Sequence, residues 1–134
     1  MEFNKLYGLY NYQSETRLID GLVAFYNKND KLVKKLVTIR RAFRYPDLLK
    51  YLYRIQKNSK SLGLEKLNSH ITRLTNYIKR HINTNEYYVW DYMDRELYKI
   101  MSIYESSYKN AMDELIYTKD TIIYNETIEY ANNN

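Results

Sequence analysis

No cysteine occurs among the 134 residues. Disulfides, thiolate metal sites and cysteine nucleophiles are therefore excluded, which fits a reducing compartment. One proline and three glycines leave few chain breakers. A β-sandwich or barrel needs turn signals every 8–12 residues, and a phosphate-cradling loop needs glycines, so both are disfavoured. No run approaches the roughly 18 apolar residues of a membrane-spanning helix. The N-terminus, MEFNKLYGLYNYQSE, lacks a basic segment leading into an apolar one, so no signal peptide is expected. These absences predict a soluble, cytoplasmic protein, placed in the host cytoplasm or the virion if it is viral.

Histidine is equally scarce. His70 and His81 are the only two. On one helix they would lie about 16 Å apart at 1.5 Å rise per residue, too far to share a metal. Both read as surface residues, and no metal or cofactor is expected. Asp91 and Asp94 share a helical face, yet no histidine completes a catalytic pair. No nucleotide-binding, zinc-protease or serine-elbow motif is present. The chain reads as a non-enzyme with no catalytic residues.

What is abundant is tyrosine, 17 residues against three phenylalanines and one tryptophan. Tyr, Asn, Ile and Lys share AT-rich codons, which suggests an AT-rich genome such as that of a virus or mobile element. Periodicity of 3.6 residues recurs along the chain and predicts an all-α fold, a small bundle of four to six helices with a long amphipathic helix in the C-terminal half. Residues 1–13 read as an arm or short helix that needs docking, 14–131 as a single helical domain and 132–134 as a polar tail.

Within that domain Ser14 is a good N-cap for a first helix carrying Leu18, Ile19, Leu22, Val23 and Tyr26. NKND at 27–30 suggests a break, or else one long helix. A second helix with Leu32, Val33, Leu36, Ile39 and Phe43 inward must end near Tyr45, because Pro46 disfavours α geometry before it. Pro46 suits the start of a third helix, with a loop expected at 58–61. A fourth helix carries Leu64 to Ile78, and NTN at 83–85 is a linker. The fifth places Met93, Leu97, Ile100, Tyr104, Tyr108, Met112 and Leu115 on one face. A break near Tyr117–Asp120 and a final short helix complete the pattern.

Charge is distributed unevenly. Residues 1–84 carry 17 basic and 6 acidic side chains, a net of +11, and residues 85–134 carry 4 and 10, a net of −6. The stretch KLVKKLVTIRRAFRYPDLLKYLYRIQK, 31–57, holds nine cations and a single carboxylate, Asp47. A solvated helix face normally mixes both signs at i,i+4, so this one calls for an anionic counterpart. Lys31, Lys34, Lys35, Arg40, Arg41 and Arg44 on the second helix and Lys50, Arg54 and Lys57 on the third are candidate phosphate contacts. Tyr51 and Tyr53 among them offer stacking surfaces, and Arg73, Lys79 and Arg80 extend the surface. The expectation is a non-sequence-specific nucleic-acid-binding protein, DNA or RNA, that assembles on its ligand as a nucleocapsid or packaging protein does.

Two other readings account for the same sequence. Tyr87, Tyr88, Trp90 and Tyr92 are spread around the helix start at about 100° per residue, so they cannot all face one core. They form a candidate protein interface of an adaptor or inhibitor of a host protein. The acidic half could instead neutralise the basic half, within one chain or in a homo-oligomer.

Overall fold

The structure, a computed structural model, describes residues 2–116 in full. Six helices follow one another: α1 (Lys5–Tyr12), α2 (Glu15–Val33), α3 (Leu36–Arg41), α4 (Tyr45–Ser61), α5 (Glu65–His81) and α6 (Tyr87–Asn133), the last described with its side chains as far as Ile116. They pack as a small all-α bundle with a long C-terminal helix, and no strand occurs among the described residues. The break expected at Tyr117–Asp120 does not occur: α6 continues through it to Asn133, so the separate final short helix is part of α6, and Asn134, the end of the expected polar tail, lies outside the described residues.

Helix starts follow local chemistry. The Ser14 hydroxyl accepts from the Arg17 backbone N–H and starts α2. Pro46 lies in the first turn of α4, where its missing N–H has no cost. The Asn4 side chain caps α1 by accepting from the Tyr7 N–H. The N-terminal segment docks on its own chain. Asn4 N–H donates to the Gly63 carbonyl at 2.8 Å, and Asn4 Nδ2 to Glu65 Oε1 at 2.9 Å. Gly63 has φ +79°, and a side chain there would run into the Asn4 carbonyl.

Three boundaries differ from expectation. Residues 27–30 do not break the helix, because Asn29 is buried and its Nδ2 donates to the Phe25 carbonyl one turn back. The helix carries on to Val33, and the chain turns at Lys34–Lys35 into the short α3. The second helix of the sequence pattern is thus the end of α2, a turn and α3. Residues 58–61 belong to α4, and the α4–α5 turn is instead Leu62, Gly63 and Leu64, whose leucines are buried.

The core runs through Leu18, Leu22 and Phe25 of α2, Leu48, Leu52 and Ile55 of α4, Leu67, Ile71 and Ile78 of α5, and Met93, Leu97, Ile100 and Tyr104 of α6. Truncating one such leucine to alanine costs about 2–5 kcal/mol. Beyond Tyr104 the inward stripe of α6 passes through Ser107, Ala111 and Leu115. Tyr108 and Met112 are only partly buried, because the stripe advances by three at 104–107, where a step of four was expected. Phe43 also departs from expectation. It is 52% exposed and sits at φ 56°, closing the turn between α3 and α4.

Candidate nucleic-acid interface

The nine cations of residues 31–57 divide into two sets. Arg40 is buried rather than surface-displayed. Its Nε and Nη2 donate to the two oxygens of Asp94 at 2.6 and 2.7 Å, a bidentate charge-assisted pair across α3 and α6. Arg41 reaches the same carboxylate at 3.4 Å. Lys34 pairs with Asp30 at 3.0 Å and Arg44 with Asp47 at 2.5 Å, both on the surface. Local carboxylates are therefore nearer than the composition of 31–57 suggested. Arg40 cannot contact an external phosphate, which corrects its assignment to the basic face. The acidic half contributes Asp94 to this region and, among the described residues, no other carboxylate.

Lys31, Lys35, Lys50, Arg54 and Lys57 form the second set. All are exposed, and none makes an ion pair among the described residues. On α4, at 100° per residue, Lys50, Arg54 and Lys57 fall within about 60° of one another and form an outward ridge. Tyr51 and Tyr53 flank that ridge on opposite sides. Each opens into a groove. The first, about 560 Å³, lies between α4 and the α2–α3 turn and is bordered by Lys28, Lys31, Lys35, Thr38, Arg44 and Tyr51. The second, about 460 Å³, lies between α4 and α5 and is bordered by Lys50, Tyr53, Gln56, Thr72, Asn76 and Lys79. Arg73 and Arg80 are exposed on α5.

Lys28 was absent from the sequence-based set. The expected break at 27–30 hid it. On a continuous α2 it lies three residues before Lys31, on the same face, a spacing that would have found it.

The aromatic candidates also separate. Tyr87 and Tyr88 are 75% and 67% exposed. Trp90 packs edge-on against Phe43 with ring centroids 5.0 Å apart, and Tyr92 packs against Tyr77 at 4.5 Å. The indole N–H of Trp90 is buried without an acceptor among the described residues. The four residues therefore differ in access: Tyr87 and Tyr88 face solvent, Tyr92 is exposed on one side while packing on Tyr77, and Trp90 is half-buried against Phe43.

Elsewhere the titratable groups have structural partners. The Tyr26 hydroxyl donates to both oxygens of Glu105 at 2.9 and 2.8 Å. That carboxylate, with burial, pushes the Tyr26 phenol up to about 12. Asp91 and Arg95 pair along α6 at 3.1 Å. Burial, then the neighbouring Arg73, holds His70 below the ordinary imidazole range. His81 stacks on Tyr77 at 4.2 Å. No cluster of three potential metal ligands occurs among the described residues, and no helix searched there is long and apolar enough to cross a membrane. Comparison with protein-family models, curated proteins and solved structures yields no match to this chain.

Proposed function

We propose that the protein is a non-enzymatic nucleic-acid-binding protein whose contact face is centred on α4. One observation carries this reading. Six exposed cations, Lys28, Lys31, Lys35, Lys50, Arg54 and Lys57, have no ion-pair partner among the described residues; the first four border two tyrosine-bearing grooves, and Arg54 and Lys57 continue the α4 ridge beside Lys50. Like charges gathered this way repel one another, and a polyphosphate chain relieves that repulsion while releasing its own counterions. Phosphate contacts of this kind fix position without reading bases. The test is reversal of Lys31, Lys35 and Arg54 to Glu together, with binding of a labelled oligonucleotide followed by anisotropy and helicity by circular dichroism. Loss of binding with helicity retained supports the reading. Unchanged affinity would falsify it.

A second reading is supported by Tyr87 and Tyr88, which present large amphipathic surface to solvent at the start of α6. They suit a protein contact, either with an adaptor's target or between copies assembled along the nucleic acid. Sedimentation with and without oligonucleotide separates the two. Ligand-dependent growth of the particle supports assembly, and a monomer under both conditions overturns it.

A further inference from the structure

We infer that the strand held on this face is single, with bases stacked on the Tyr51 and Tyr53 rings while phosphates follow the cations of α4; this rests on the nucleic-acid reading proposed above. Two tyrosines separated by two positions on a helix point about 200° apart. They therefore stand on either side of the Lys50, Arg54 and Lys57 ridge, not on top of it. Tyr53 is 63% exposed and borders the α4–α5 groove, and Tyr51 is half-buried at the border of the α2–α4 groove. Neither ring is in an aromatic pair among the described residues. By contrast Tyr26, Tyr104 and Tyr108 stack together, Tyr77 lies between Tyr92 and His81, and Phe43 meets Tyr45 and Trp90.

A ring that borders a groove beside cations can be reached by an unpaired base. It cannot be reached by a base pair, whose faces are already covered by its neighbours in the stack. A duplex would rest on the ridge alone and leave both rings unused. The second groove also presents Asn76, exposed, and Gln56, whose Nε2 donates to Thr72 Oγ1 at 2.6 Å; the Asn76 amide can hydrogen-bond to an exposed base edge. Each stacked base contributes about 1–3 kcal/mol with little dependence on sequence, and that tolerance matches a site with no motif for base readout.

The experiment uses the full chain, a fluorescein-labelled mixed-sequence single strand and the duplex of the same sequence, at matched salt. The single strand is expected to bind at least about tenfold tighter than the duplex. Tyr53→Leu is expected to weaken single-strand binding about fivefold or more, the lower end of one lost stack, with the salt dependence unchanged. Tyr53→Phe keeps the ring and is expected to bind as the parent does. Equal or tighter duplex binding, or no effect of Tyr53→Leu on the single strand, overturns the stacking inference. If binding is then still abolished by charge reversal at Lys31, Lys35 and Arg54, the broader nucleic-acid reading stands without it. Failure of both oligonucleotides to bind overturns both.

Discussion

The Arg40 guanidinium and the Asp94 carboxylate are joined by two hydrogen bonds of 2.6 and 2.7 Å across 54 residues of chain. Their side chains are 7% and 13% exposed, so water screens the pair weakly. Phe43 lies under the same guanidinium, 5.6 Å from ring centroid to Arg40 Cζ. The pair fastens α3 to α6 and removes Arg40 from the cations that can reach a ligand.

Breaking that pair is expected to destabilise the fold without touching the binding face. Arg40→Ala leaves a largely buried carboxylate with only the exposed Arg41, 3.4 Å away, beside it, a loss approaching the roughly 3–5 kcal/mol of a broken buried pair. Replacing both residues by leucine removes the stranded charge and is expected to restore much of the stability. Urea denaturation of Arg40→Leu, Asp94→Leu and the double leucine variant, beside Arg40→Ala, measures the coupling. Equal loss in Arg40→Ala and the double variant would show that the pair is not the fastening. Oligonucleotide affinity of the folded Arg40→Ala protein is expected to match the parent.

That pair also shows how far the sequence could be read. Helical periodicity located the inward faces of α2, α4, α5 and the first half of α6, because burying an apolar stripe dominates local choice. Pro46 and Ser14 marked helix starts by local sterics and hydrogen bonding, so they too were legible. Arg40 was not. Its burial depends on a carboxylate 54 positions away, and nothing in the spacing of Arg40, Arg41 and Arg44 marks one of them as interior. The same limit hid Lys28. Whether Asn29 ends a helix or hydrogen-bonds back into it depends on its burial against neighbouring helices, not on the four residues NKND.

Gly63 is expected to tolerate no side chain. Its φ of +79° is left-handed, and the Asn4 carbonyl occupies the space a Cβ would need. Gly63→Ala should therefore lose more than the roughly 1 kcal/mol of the backbone conformation alone, because the Asn4–Gly63 hydrogen bond must stretch as well. Thermal denaturation measures the loss, and limited proteolysis tests whether the 2–13 segment detaches first. A variant as stable and resistant as the parent would contradict this account of the turn.

His70 is expected to make stability fall on mild acidification. Burial, then Arg73, lowers its folded-state pKa, against the smaller opposing effect of Glu96, with Lys66 and Lys99 adding to the lowering. The unfolded chain then binds the proton more readily than the folded one. The full contribution is present above the unfolded value of about 6.5, and it is lost as pH falls through the lower folded value. His70→Gln should flatten the stability profile across that window. An unchanged slope in the variant would assign the acid sensitivity to other groups.

Tyr87 and Trp90, three residues apart, are expected to respond oppositely to truncation. Tyr87→Ser with Tyr88→Ser removes exposed rings, and its effect on stability should stay within about 0.5 kcal/mol, while any self-assembly or partner capture is lost. Trp90→Ala removes the ring that packs on Phe43 and should lower stability, so loss of partner binding in that variant would not by itself identify a contact. Chemical denaturation beside sedimentation of both variants separates the effects. A marked loss of stability in the Tyr87, Tyr88 variant would place those rings in the fold.

Salt dependence discriminates between the two sets of cations. For a single strand, the logarithm of affinity falls against the logarithm of salt with a slope of about 0.7 per phosphate neutralised. Lys31, Lys35 and Arg54 have no carboxylate partner among the described residues, so each is free to replace a counterion. Converting the three to alanine should reduce the slope by about 2, with affinity at low salt falling most. Lys34 already shares its charge with Asp30 at 3.0 Å, and Lys34→Ala should shift the slope distinctly less than any one of the three. Anisotropy titrations at four salt concentrations give the slopes. If Lys34→Ala and Lys31→Ala reduce the slope equally, the ion pair with Asp30 opens on binding, and the contact face extends past the α2–α3 turn toward Arg41.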